Sequence, residues 1–124
     1  MNRWNIPDWL ERKIIERDQR CVYCGILISP DNQTRGTKPS WEHIVNDMRI
    51  VTFANIARCC VSCNASKGQK PLPVWLDSIY CRKRHISRES VALVVRNALE
   101  CPPSLNAQTD SSGKCAQDTS RESY

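Results

Sequence analysis

The sequence predicts a small α+β domain with flanking helices, on three observations. Two Cys-x-x-Cys pairs, Cys21/Cys24 and Cys60/Cys63, enclose a lone Glu42-His43, and Asn64 directly follows the last cysteine. Between the pairs lie two β-prone stretches, residues 41–45 and 50–53. Outside them, apolar residues recur at helical spacing, as in Leu72, Trp75, Leu76 and Ile79.

Residues 8–18 read as the first helix. Pro7 and Asp8 open it, Glu11 stands three residues after Asp8 as in a capping box, and Trp9, Leu10, Ile14 and Ile15 make an apolar side. The helix delivers the chain to the first cysteine pair, where Gly25 suits the tight turn after a ligand pair and Ile26-Leu27-Ile28 reads as a short strand. Residues 29–39 are rich in turn formers and read as a loop. The strand over 41–45 would place Glu42 and His43 on opposite faces or at a strand end, and 50–53 supplies the second strand. After the second pair, residues 64–70 begin a helix that Pro71 stops. A further helix follows through Ile79, and Ser87 can cap another whose Val91, Val94, Val95 and Ala98 share one face. These last two elements read as scaffold. Beyond Pro102-Pro103 the chain turns rich in Ser, Gln, Asp and Thr, so the expected organisation is a domain over 1–101 and a disordered tail over 102–124.

A chain of 124 residues with 6% aromatics buries a modest core, so a metal clip would add useful stability. The formal charge is +5; beyond Cys101, Lys114 and Arg121 face Asp110, Asp118 and Glu122, which leaves about +6 on residues 1–101. A basic folded part suggests a polyanionic partner, nucleic acid being the commonest, although charge alone fits an ordinary basic surface equally well. Eight cysteines also suit a disulfide-linked extracellular protein. Against it, the first five residues lack the apolar core of a signal peptide and four cysteines pair at zinc-ligand spacing, so the expected setting is reducing and cytoplasmic. No apolar run approaches membrane-spanning length.

The two cysteine pairs read as one structural zinc site. Four thiolates in a tetrahedral shell bind zinc tightly and leave no open position for chemistry. The competing reading is one redox-active pair, which would need only a single Cys-x-x-Cys in a βαβ setting. Cys59 adjoins Cys60 and could replace it, but Cys60 keeps the two-residue spacing to Cys63. Cys59, Cys81, Cys101 and Cys115 have no evident partners and are expected as free thiols.

His43 is the sole histidine between the pairs, and a histidine on a strand is often a satisfied structural residue. Its spacing shifts that weight. Asn55 precedes Cys60 by five positions, Asn64 follows Cys63 at once, and Lys67-Gly68 comes one helical turn later. Arg20-Cys21-Val22-Tyr23-Cys24-Gly25, Glu42-His43-Ile44-Val45, Asn55 through Asn64 and Lys67-Gly68 together resemble the HNH endonuclease family in its zinc-binding version, over residues 12–76.

The resemblance implies a ββα-metal (His-Me finger) core, two strands and a helix around one divalent cation, stapled by the four-cysteine zinc. It implies His43 as general base, Asn55 as the residue that orients it through the connecting loop, and Glu42 and Asn64 as ligands of a catalytic Mg²⁺ or Mn²⁺. A neutral imidazole can take a proton from water in line with a phosphodiester. A hard, oxygen-ligated cation can stabilise the phosphorane and the departing 3′ oxygen, with water and phosphate filling its remaining positions. The implied products carry a 5′-phosphate and a 3′-hydroxyl. The implied partner is DNA, with a homodimer or a larger phage or restriction machinery as the setting.

Two departures stand out. Glu42 replaces the more usual Asp, and Asn46-Asp47 stands where the family often has Pro. Asp47 reads either as an extra metal or water contact or as a plain loop carboxylate. Lys67, Arg58 and Lys70 are the expected nucleic-acid contacts, with Arg49 and Arg82-Lys83-Arg84 as further candidates and solvated faces as the plainer reading. Tyr23 and Trp41 flank the site and are expected to pack the knuckles. Two functions therefore compete: a metal-dependent DNA endonuclease, nicking or cutting both strands, and a non-catalytic zinc-ribbon module that binds nucleic acid.

Overall fold

The structure is a computed structural model that describes residues 4–28 and 36–105 of the 124-residue chain. Its elements run α1 (Asp8–Arg17), β1 (Pro39–His43), β2 (Ile56–Cys60), α2 (Val61–Lys67), α3 (Leu72–Leu76), α4 (Ile79–Lys83) and α5 (Leu93–Glu100). The two strands pair antiparallel, in the register Pro39↔Cys60, Trp41↔Arg58, Glu42↔Ala57 and His43↔Ile56. The chain passes from β2 into α2 without a linker, so a hairpin packed on the following helix forms the centre of an α+β fold.

The second strand is not where β-propensity put it. Residues 50–53 lie in the loop between the strands, and Ile56–Cys60 pairs instead. The loop has its own anchor: the Asn55 side chain receives Val45 N–H at 2.7 Å and donates to the carbonyls of Val45 and Ile50 at 3.1 and 3.0 Å. Turns at either end, Ile50 N–H onto the Asp47 carbonyl and Asn55 and Ile56 N–H onto that of Thr52, bend the β-prone stretch out of a strand. Leu27 makes only an isolated bridge to Arg20, so residues 26–28 form no full strand.

Helix boundaries follow local chemistry. Pro7 is the cap of α1 and makes no side-chain cap bond, so Asp8 and Glu11 act as first-turn acids and not as a capping box. Leu10 and Ile14 are buried while Trp9 and Ile15 are exposed, so the apolar stripe is narrower than expected. Cys60 caps α2 by accepting the Cys63 N–H on its sulfur, and Gly68, at φ +52°, ends the helix in a backbone conformation other residues adopt at a cost. Ser78 breaks the expected helix after Leu72 into two by capping α4. Ser87 bonds back and forth with Ser90 and closes a turn, so α5 starts later, at Leu93.

Two apolar clusters hold these elements. The larger joins Tyr23, Ile44, Cys59, Trp75, Val91 and Val95 beneath the cysteine knuckles. The smaller joins Ile6, Leu10 and Ile14 to Ile56 at the start of β2. Arg17 reinforces that second contact: its guanidinium donates to the Phe53 and Ile56 carbonyls and pairs with Asp18 at 2.7 Å. Buried Asp18 in turn accepts the Arg58 N–H at 3.1 Å. Among the described residues no helix is long and apolar enough to cross a membrane. The proposed tail over 102–124 lies outside the described residues from 106 onward, and Pro103 still packs into the fold.

Candidate metal centre and active site

Cys21, Cys24, Cys60 and Cys63 converge, with all four sulfur atoms within 4.8 Å of one another. Cys24 and Cys60 sulfurs stand 3.8 Å apart. A tetrahedral zinc with Zn–S near 2.3 Å requires sulfurs about 3.8 Å apart, so the group fits a structural zinc. The knuckles are built for it. Cys21 Sγ accepts the N–H groups of Tyr23 and Cys24, and Cys60 Sγ accepts that of Cys63, each at 3.4 Å. Hydrogen bonds among the four sulfurs lower the Cys24 thiol and raise those of Cys60 and Cys63, so the group shares its protons unevenly.

The strand geometry places Cys60, and not Cys59, in the group. Cys60 faces the cluster, while Cys59 is buried against Ser40, whose hydroxyl lies 3.5 Å from its sulfur. Burial raises the Cys59 thiol well above its usual value. Cys59 and Cys81 are free and buried, as expected. Cys101 is disulfide-bonded, which corrects the expectation of a free thiol there; Cys115 lies outside the described residues.

Glu42 points from β1 toward the knuckles and α2. Its Oε2 accepts the Tyr23 hydroxyl at 2.6 Å and pairs with Lys67 Nζ at 3.0 Å. Lys67, 1% exposed, also donates to the His43 carbonyl at 3.5 Å. Burial raises the Glu42 carboxyl, and Lys67 and Tyr23 oppose that rise. Tyr23 is itself driven up by burial and by the Glu42 charge.

His43 lies on the other face of β1. Its ring meets Trp4 edge-on at 5.9 Å between centroids. Burial lowers its basicity, partly countered by Asp47, so the neutral imidazole is favoured. Nε2 is buried and has no hydrogen-bond partner in the described structure. Just beyond, Asn55 clamps the loop that leaves the strand. Asp47 is held by Arg49 in a two-pronged pair at 3.0 and 2.8 Å, the behaviour of a loop carboxylate.

Asn64, in the first turn of α2, donates from Nδ2 to the Ser40 hydroxyl at 3.0 Å and the Trp41 carbonyl at 3.2 Å, and so ties helix to strand. A divalent cation between Glu42 and Asn64 would meet an ammonium 3.0 Å from the carboxylate oxygen it needs. In this arrangement the donor set does not fit such a cation. The expected nucleic-acid contacts are dispersed. Lys67 is enclosed, Arg58 is half-buried with its guanidinium 5.9 Å from the Trp41 ring centroid, and Lys70 is exposed and bonded to the Ser66 carbonyl. Arg82, Lys83 and Arg84 are exposed on and after α4, with Arg84 stacked 4.3 Å over Tyr80.

Two contributors escaped the sequence reading. Tyr80 donates its hydroxyl to Cys63 Sγ at 3.3 Å, and Trp4 covers His43. Neither sits at a ligand or motif spacing, so only the fold reveals them. Compared with protein-family profiles, curated proteins and solved structures, the chain matches none.

Proposed function

We propose that the chain is an HNH-type DNA endonuclease that hydrolyses phosphodiester bonds with His43 as general base. The observation that carries this reading is the unpartnered His43 Nε2 at the end of β1, directly before a loop clamped by Asn55. A neutral imidazole with a vacant nitrogen is the form that accepts a proton from water. That water's oxygen attacks phosphorus, its proton passes to His43 Nε2, the bond to the 3′ oxygen breaks, and the departing oxygen takes a proton from solvent water to become a 3′-hydroxyl. Asn55 fixes the loop that aims the ring, and the cysteine group holds hairpin and helix in register with the knuckles. A catalytic Mg²⁺ or Mn²⁺ is implied by the resemblance alone.

Cleavage of supercoiled, linear and single-stranded DNA across divalent metals, with His43→Ala as control, tests the reading. Cutting by the zinc-loaded protein that His43→Ala abolishes is the expected result. Intact plasmid despite normal binding, with no partner restoring cleavage, would overturn it.

Two observations favour a second reading, a non-catalytic zinc-ribbon module that binds nucleic acid. His43 is covered by Trp4, and Glu42 is already neutralised. Under that reading His43→Ala and Asn64→Ala leave DNA binding and all biological function unchanged.

A further inference from the structure

The slot between β1 and α2 already contains a cation. Lys67 Nζ stands 3.0 Å from Glu42 Oε2 and 3.5 Å from the His43 carbonyl, on a side chain 1% exposed. On the far side Tyr23 donates to the same carboxylate oxygen at 2.6 Å. Three side chains from the first knuckle, β1 and α2 thus close a network in which one negative charge faces one positive charge and a hydroxyl. A buried charge survives in a fold when it is paired and hydrogen-bonded, and both conditions are met.

We infer that Lys67 is the resident counter-cation of Glu42, and that Glu42 is a positioning residue joining β1 to α2 and not a ligand for a divalent metal. The inference rests on the nuclease reading only for the expectation it replaces. Adding a divalent ion at Glu42 would require expelling a buried ammonium into a site with no other carboxylate described beside it. Any metal the protein uses on a phosphodiester is then held by groups other than Glu42. The same pairing explains why Lys67, which its position one turn after Asn64 offers as a phosphate contact, is turned inward.

Mn²⁺ binding followed by water-proton relaxation, on zinc-loaded protein with zinc content and thermal melting measured alongside, decides the matter without reference to cleavage. Glu42→Gln is expected to leave Mn²⁺ affinity within twofold of wild type while lowering the melting temperature. Lys67→Met strands the carboxylate and is expected to raise Mn²⁺ affinity at least tenfold, a gain that adding Glu42→Gln removes. Should Lys67→Met not fold, the Glu42→Gln/Lys67→Met pair takes its place, and unchanged Mn²⁺ affinity there supports the inference. A tenfold or greater loss of Mn²⁺ affinity in either folded variant carrying Glu42→Gln, with zinc retained, overturns it. Because the readout is metal binding, a failure to cut DNA leaves this result standing, and the reverse also holds.

Discussion

Asn55 and Val45 are bonded reciprocally: the Val45 N–H donates to Oδ1 at 2.7 Å and Nδ2 donates back to the Val45 carbonyl at 3.1 Å. A side chain here completes what a strand partner would otherwise supply, immediately after His43. Replacing Asn55 by Ala strands the buried Ile50 carbonyl and the part-buried N–H and carbonyl of Val45. The expected loss is about 2–4 kcal/mol, given ~1–3 kcal/mol for each buried group left unpaired. Urea unfolding of Asn55→Ala measures it, and a loss below the error of the midpoint would refute the clamp.

The proposed base lies outside the four-cysteine group, so the two are expected to respond separately to substitution. Cys21→Ser is expected to unfold the domain, because structural zinc contributes its binding energy directly to folding. His43→Ala is expected to keep full zinc content and to melt within about 5 °C of wild type, a shift worth ~1 kcal/mol in a domain of this size. Circular dichroism melting with metal analysis compares them; equal melting of the two variants contradicts the division.

Trp4 shields the histidine. Trp4→Ala is expected to speed modification of His43 by diethylpyrocarbonate, read by peptide mass, at a stability cost of about 1–3 kcal/mol. Trp4→Phe keeps an aromatic edge against the ring and is expected to preserve protection. Equal modification rates in wild type and Trp4→Ala would show that the contact shields nothing.

Tyr80 donates to one sulfur of the four-cysteine group, Cys63 Sγ. Tyr80→Phe removes a donor 3.3 Å from that sulfur and is expected to weaken zinc binding by about 10–100-fold, the usual effect of losing an outer hydrogen bond to a ligand. Competition with a chromophoric chelator reads the change, and an unaltered affinity excludes the role.

What the sequence made legible was local. The four cysteines could be grouped because ligand spacing is a property of adjacent residues, and even the choice of Cys60 over Cys59 followed from spacing. The first helix and the strand through Glu42 and His43 were readable for the same reason, whereas the helix read over 64–70 and stopped by Pro71 instead spans Val61–Lys67 and ends at Gly68. The second strand was misplaced because Ile50, Val51 and Phe53 have high strand propensity, while Ala57, Arg58 and the cysteines that do pair have little. Tertiary contacts decided the outcome there. Lys67 read as a phosphate contact because lysine is rarely buried without a partner, and its partner lay on a different element. Trp4 over His43 and Tyr80 on Cys63 are long-range contacts with no local signature.

Cys59 and Cys60 give the zinc a duty beyond stability. Adjacent residues on a strand face opposite ways, so Cys60 reaches the cluster and Cys59 enters the core beside Ser40. A one-residue slip of β2 would exchange them, offering the metal the wrong sulfur and turning Ala57 and Ile56 against the wrong partners on β1. A metal held by the four cysteines would therefore proofread the hairpin, capturing the alignment that presents Cys60, in which Glu42 and His43 lie on opposite faces of β1.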